Sequence, residues 1–447
     1  MSDSTEAPRS VSFAEALRFW LKLGFISFGG PAGQIAIMHQ ELVERRRWIS
    51  EKRFLHALNY CMVLPGPEAQ QLATYLGWLM HRTAGGLAAG GLFVLPSLVL
   101  LILLSWVYLR FGELPAVAGV LYGIKPAVVA IVVAAAWRIG ARTLRNAALW
   151  AIAACAFAAI FALHAPFPAI VLAAGAIGLV GGRLWPQHFQ LGGAHAASQA
   201  GLGRALIDDA TPTPEHARFS RARVARVLAA GLGLWLGGYA LLVAVGGASG
   251  VLAQMAWFFT KAALLTFGGA YAVLPYVYQG AVEQHGWLTA AQMIDGLALG
   301  ETTPGPLIMV VAFVGFVGGW TREVFGPHAL FAAGAAAAAV VTFFTFLPSF
   351  VFIFLGGPLV ETTHDDLRFT APLTAITAAV VGVIVNLALF FAAHVLWPAG
   401  AGGRFEGWSL ALGVAAGVAL LRFKAGVIPV IGACAAIGLA LRLAGLA

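Results

Sequence analysis

The chain is poor in charge. Only 10% of its 447 residues are Asp, Glu, Lys or Arg, while 60% are hydrophobic. Soluble domains carry roughly 25% charged residues, so an ordinary water-facing surface is excluded. Cysteine is scarce as well. Cys61, Cys155 and Cys434 stand far apart in apolar surroundings and suggest neither a disulfide framework nor a metal site. The histidines show no metal-ligand spacing, and no HExxH, Walker or GxSxG signature is present. An ATPase or a membrane protease therefore lacks its chemistry here, and no cofactor is expected. Met1–Ser10 is polar without an apolar signal core, so the first apolar segment is expected to serve as the insertion signal.

What the chain does have is long uncharged sequence. Ala84–Leu109 carries no charge, and Leu114–Trp137 carries only Lys125. Val227–Thr260 and Ala329–Val360 run uncharged for 34 and 32 residues. About 20 residues of helix cross ~30 Å of hydrocarbon. Further apolar stretches at 146–163, 165–182, 307–320, 369–397, 407–421 and 425–441 bring the expectation to roughly twelve to fourteen membrane segments, some of half length. The fold class is an all-α polytopic membrane protein. The net charge of +8 lies largely in short loops between spans, as orientation in a bilayer requires, and implies no nucleic-acid partner.

The chain repeats itself. Phe28-Gly29-Gly30 recurs as Phe267-Gly268-Gly269, and Pro65-Gly66-Pro67 as Pro304-Gly305-Pro306, both at an offset of 239 residues. Lys22, Gln40, Glu44 and Trp48 match Lys261, Gln279, Glu283 and Trp287 at the same offset. Of the 49 positions from Phe19 to Pro67, 13 are identical, and most are not the Leu, Ala or Val that match by chance in apolar sequence. Leu95-Pro96-Ser97 has a weaker echo in Leu347-Pro348-Ser349. The expected organisation is a first transporter repeat at 11–185, a basic cytoplasmic linker at 186–226, a connecting transmembrane helix at 227–250 and a second repeat at 251–447. The loop Arg45–Arg53 holds Arg45, Arg46, Arg47, Lys52 and Arg53, whereas its counterpart Gln284–Gln292 holds no Lys or Arg. Basic loops stay in the cytoplasm, so the two halves are expected to be inverted. The segment Glu361–Arg368, expected on the cytoplasmic side, is net acidic and fits that pattern least.

The four repeated motifs break apolar segments. Gly frees the backbone and Pro removes a donor, so a helix should end near Gly29 and another begin at Pro31, with Pro67 opening a helix over Glu68–Met80. Broken helices at membrane depth expose backbone groups, which persist only when buried in protein or lining a cavity. A helix N-terminus exposed there suits an anion. The alternative is a set of packing kinks without a ligand. Lys22 and Lys261, six residues before each Phe-Gly-Gly, read as snorkelling cations or as partners of an anionic substrate. Glu68, Gln71 and Tyr75 share one helix face, while Leu307 and Val310 replace the first two in the second half. That half instead places Glu301, Thr302 and Thr303 before its Pro-Gly-Pro. Glu68 and Glu301 are candidates for binding a coupling proton, or else cap a helix or pair with Lys. Arg45, Arg46 and Arg47 read as orientation determinants or as an electrostatic funnel. Trp48 and Trp287 read as interface anchors, Lys125 as a further lone cation, and Asp295 as interfacial.

FGGPAGQIAIM, then RRRWIS and VLPGPEAQQLATYLGW, resembles the chromate ion transporter family in its long form with two fused homologous domains. FGGAYAVLPYV and HGWLTAAQMIDGLALGETTPGPLI resemble the second of those domains. The resemblance implies export of chromate from the bacterial cytoplasm across the inner membrane, driven by the proton-motive force or by anion exchange. It places the site at Phe28–Pro31, Pro65–Gln71, Phe267–Gly269 and Pro304–Pro306. The partners expected are chromate or a similar dianion, with sulfate, a tetrahedral dianion of similar size, as competitor, the lipid bilayer, and a second copy in a homodimer. Sulfate or another oxyanion as substrate, or an anion channel, are the alternatives.

Overall fold

The computed structural model describes residues 10–28, 30–189, 205–209, 211–212, 214–267, 269–361, 370–400 and 402–446. Its helices are α1 (Phe13–Ile26), α2 (Gly30–His39), α3 (Glu51–Val63), α4 (Glu68–Phe111), α5 (Pro115–Thr143), α6 (Ala147–Leu163), α7 (Phe167–Leu184) and α8 (Arg221–Gly246). The second half supplies α9 (Val251–Leu264), α10 (Ala270–Tyr278), α11 (Ala290–Thr302), α12 (Val310–Thr321), α13 (Leu330–Val360), α14 (Thr370–Leu396), α15 (Gly407–Leu421) and α16 (Val427–Leu443). No strand forms among the described residues, apart from one parallel bridge between Ile49 and Ile207. Among the described residues six helices are long and apolar enough to cross a membrane, and the chain is a multi-pass membrane protein.

The repeat reaches the level of backbone geometry. A π-helical turn follows α2 at Gln40–Arg45 and follows α10 at Gln279–Gln284, at matched positions. Ser50 caps α3 by accepting from Arg53 N, and Thr289 caps α11 by accepting from Gln292 N, both at 3.2 Å. These caps hold helices of 13 residues each, about 20 Å long and too short to span a bilayer. The chain instead turns back on itself. Phe13, at the start of α1, meets His81 with ring centroids 5.6 Å apart, and His81 Nε2 lies 2.9 Å from Val11 O. At His81 and Arg82 the helix α4 kinks through non-helical backbone angles before its long apolar stretch.

Glycines set the close crossings. A Cβ at Gly24 would meet Leu92 O and lie 3.0 Å from Pro96 Cγ, which seats α1 on α4. The halves also exchange helices: α5 packs along α15 and α16, while α14 packs along α6 and α7. Gly123 on α5 faces Cys434 O and the Cα of Gly438 on α16. Small residues allow this backbone approach in lipid, where apolar side chains gain little by leaving their surroundings. Gly123→Leu should therefore unseat α16 and lower folded protein by about 3 kcal/mol. Thermal aggregation in detergent reads this out, with Gly432→Leu as control, because a Cβ at Gly432 meets nothing within 4 Å.

One apolar stretch counted among the membrane segments is enclosed by protein. Every residue of α12 from Val310 to Gly319 is buried in protein. In α8, by contrast, only Gly231 is buried.

Candidate functional site

The four breaks meet in two crossed pairs. Gly66 N donates to Thr266 O at 2.8 Å, and Gly305 N donates to Ser27 O at 2.8 Å. Under the repeat offset these are the same bond made twice. Each half's Pro-Gly-Pro is thereby fastened to the residue preceding the other half's Phe-Gly-Gly. The glycines make this possible. Gly66 has φ 124° and Gly305 φ 109°, a region that side-chain-bearing residues avoid. A Cβ at Gly66 would lie 2.5 Å from Ser349 Oγ and 2.6 Å from Gln71 Nε2, and one at Gly305 would lie 2.8 Å from Ser97 Cβ. The echoing Pro-Ser pairs of α4 and α13 thus each back onto a break glycine of the opposite half.

This seam holds unpaired polar atoms. Ser27 Oγ, Gln34 Oε1, Gln71 Oε1, Ser97 Oγ and Ser349 Oγ are buried and lack a hydrogen-bond partner. Their residues are at most 1% exposed. Buried polar groups are paired in the large majority of cases, so five orphans along one seam mark a place built to meet a polar ligand or water. The amide orientations are fixed from the other side: Gln34 Nε2 donates to Gly305 O at 2.5 Å and Ser27 O at 3.4 Å, and Gln71 Nε2 donates to Pro65 O at 2.7 Å. No side chain caps the start of α4 behind Pro67 or of α10 behind Gly269. A Cβ at Gly30 or Gly269 would meet nothing within 4 Å, so α2 and α10 begin beside open space. Uncapped N-terminal N–H groups beside neutral donors can hold an anion without a fixed counter-charge.

The flanking residues differ between halves. Thr302 and Thr303 donate their hydroxyls to Leu299 O at 2.9 Å and Gly300 O at 3.0 Å, which ends α11 just before Pro304 and Pro306. Glu301 is buried and accepts from Tyr271 Oη at 2.5 Å, with Arg138 of α5 within charge range. Glu68, at the start of α4 beyond Pro65 and Pro67, is half-buried, as are Phe28 and Phe267. Gly29 and Gly268 lie outside the described residues. Among the described residues no group of three or more His, Cys, Asp or Glu is placed to hold a metal ion.

Comparison with known proteins fits this doubled architecture. The chromate transporter family profile matches twice, at residues 14–179 and 253–439. This chain belongs to the chromate transporter family. It is 36% identical over 386 residues to the chromate transport protein of Pseudomonas aeruginosa, covering 85% of this chain and 82% of that protein. The chromate transport protein of Cupriavidus metallidurans is 28% identical over 403 residues, covering 87% and 85%. A probable chromate transport protein of Synechococcus elongatus is also 28% identical, over 378 residues, with 84% of each covered. No solved structure matches the chain.

Several charged residues of this transporter stand away from the seam. Lys22 and Lys261 are exposed, Lys22 within charge range of Glu41 and Lys261 Nζ 5.7 Å from the Trp257 ring. Arg45 and Arg46 are tied to Glu41 at 2.7 and 3.4 Å, and the Arg46 guanidinium also covers Phe19 and Trp48. Arg47 has a positive φ and donates no side-chain bond among those described; its carbonyl accepts from Leu206 N of the linker at 2.9 Å. Two of the three arginines are thus already engaged by a carboxylate.

Three expectations from sequence are corrected. Trp48 and Trp287 are not interface anchors. They are 5% and 2% exposed, and each packs edge-on against the matched Phe19 or Phe258 within its own half. Asp295 is not interfacial either. It is 3% exposed and takes Tyr108 Oη at 2.9 Å and Lys125 Nζ at 3.5 Å. Lys125 is therefore no lone cation. Gln34, Ser27, Ser97, Ser349 and Thr266 were not singled out. The Ser27–Thr266 match at the repeat offset and the Pro-Ser echo carried the signal for four of them, while Gln34 faces Val273 in the repeat and left none.

Proposed function

We propose that this chain is a secondary transporter that exports chromate across the bacterial inner membrane and so confers chromate resistance. The crossed breaks with their five unpartnered polar atoms carry the reading. Hydroxyls, amides and helix N-termini recognise a tetrahedral oxyanion by shape and charge, and the curated relatives are named for chromate transport. Sulfate shares that shape and charge, which makes it the expected competitor and the second substrate to test. The near-total burial of the seam favours a carrier with an occluded site over an open channel.

The two halves act as inverted units that rock about the seam, so the site opens to each side in turn. The loop charges support the inversion. So does the salt bridge of Arg53 to Glu361 at 3.6 Å, with Tyr75 Oη on the same carboxylate at 2.5 Å. It holds Glu361 beside Arg53, the last residue of the basic loop. The driving force is the proton-motive force or anion exchange, with Glu68 and Glu301 the carboxylates nearest the breaks.

The test is labelled chromate flux into inverted membrane vesicles, with sulfate, molybdate and phosphate as competitors at two pH values. Saturable uptake that sulfate inhibits and that collapses with the gradient is the expected result. Uptake that persists unchanged without any gradient would point to a channel instead. Lys22→Ala and Lys261→Ala, whose charges sit on exposed faces, should change flux by no more than about three-fold. A loss beyond ten-fold in either would move the anion from the seam to the lysines.

A further inference from the structure

Among the described residues Glu41, Asp295 and Glu301 are buried as whole residues, and the Glu361 side chain is 8% exposed. Glu41 holds two arginines at the basic loop. Glu301 bonds Tyr271, which belongs to the same half. Glu361, just beyond α13, reaches Arg53 and Tyr75 of the other half at the basic loop, and Asp295 reaches across from within the broken-helix unit. It sits on α11, one arm of the second half's broken-helix unit, and its partners Lys125 and Tyr108 come from α5 and α4. Lys125 is carried by the span that is interlocked with α15 and α16.

The geometry of the pair is lopsided. Oδ2 takes both the Lys125 ammonium and the Tyr108 hydroxyl, while Oδ1 is buried with no partner. The Lys125 side chain remains 32% exposed, so the cationic partner is less enclosed than the carboxylate at 4%. Lys125 and Tyr108 are the groups that bond Asp295, while Arg138, also on α5, lies within charge range of Glu301. Of the helices packed on α11, α12 carries no titratable residue. His394 of α14 is exposed and bonded to Phe390 O, and α16 sets Cys434 and Arg442 against Gly123 and Gly119 of α5.

We infer that Asp295 and Lys125 form the coupling site of this transporter, where a proton binds the carboxylate in place of the ammonium once per transport cycle. The inference rests on the carrier reading above. If α11 moves against the spans, the pair must part, and parting without a proton would leave two bare charges within the membrane. A proton arriving at Oδ1 neutralises the carboxylate, leaves Tyr108 hydrogen-bonded to it, and frees Lys125. When the proton departs to the opposite compartment, the ion pair re-forms and draws α11 back. The Glu301–Tyr271 bond lies within one half and need not part in this motion.

The experiment uses the full chain in liposomes, with Asp295→Asn, Lys125→Met and the double variant. Two fluxes are read: chromate accumulation under an imposed pH gradient, and chromate counterflow with no gradient. In Asp295→Asn and in the double variant, accumulation should fall by about ten-fold or more and lose its pH dependence, with counterflow within about three-fold of the parent. The double variant removes both charges together, so it stays readable even if a lone buried charge unfolds either single variant. Gradient-driven accumulation that survives in Asp295→Asn or in the double variant overturns the inference. So does a double variant whose counterflow fails along with accumulation, because the pair would then be a structural strut. A parent protein without chromate counterflow overturns the carrier reading itself, and this inference with it.

Discussion

Replacing Gly66 or Gly305 with alanine should remove transport almost completely, and the two losses should be alike. Both residues occupy backbone conformations at φ 124° and 109°, which cost a side-chain-bearing residue about 1–3 kcal/mol. The added methyl at Gly66 also runs into Ser349 Oγ and Gln71 Nε2, and at Gly305 into Ser97 Cβ. Relief requires the break to shift, which lengthens the 2.8 Å bond to Thr266 O or Ser27 O and loses roughly 1 kcal/mol more. Added together, these terms of about 2–4 kcal/mol amount to roughly 30- to 900-fold in any step that needs the seam intact. Gly91→Ala is the control. It lies inside α4, a Cβ there meets nothing within 4 Å, and alanine in a helix interior is if anything favourable. Chromate flux in liposomes and the melting temperature should both separate the three variants. Parent-like flux in Gly66→Ala would mean that the crossed breaks are not where the anion passes.

The similarity of the two glycines was legible in the sequence, because a repeat at one fixed offset carries backbone geometry with it. The same offset locates the matched π-turns, the Ser50 and Thr289 caps, and the paired starts of α2 and α10. Positions near the break were read less finely. The helix expected to end near Gly29 ends at Ile26, because Ser27 and Phe28 leave the helix so that Ser27 O can accept from Gly305 N. What local sequence cannot show is contact across long separations. Leu307–Trp320 looks like any lipid-facing span, yet α12 is buried, since hydropathy does not distinguish lipid from protein as the apolar neighbour. Lys125 and Asp295 are each an isolated charge in sequence, and only the exchange of α5 into the second half brings them together. Trp48 had the composition of an interface anchor and the position of a core residue, which became visible only when Phe19 folded against it.

Gln34 is a place where the halves differ at the seam, and its replacement carries the second large expected effect. Its amide nitrogen bonds Gly305 O and Ser27 O, and its amide oxygen is left unpaired along the seam. Val273 occupies the matched position, so no second glutamine can take over. Gln34→Leu strips the Gly305 carbonyl of this bond inside the protein, which costs about 1–3 kcal/mol, and flux should fall by roughly ten- to one-hundred-fold. Gln34→Glu is nearly the same size but should be worse. It aims a carboxylate oxygen at two carbonyl oxygens in place of an N–H donor, and it adds a negative charge beside the path of a dianion in a low-dielectric setting. A purely structural glutamine would give the opposite order, because a carboxylate can take a proton and keep one donor whereas leucine offers none. Chromate affinity from counterflow at a fixed pH above neutrality decides between them. If Gln34→Glu binds chromate as tightly as the parent, the seam does not face the anion. If affinity falls further in Gln34→Glu than in Gln34→Leu, the charge of the substrate is felt at this side chain, 271 residues from the glycine it holds.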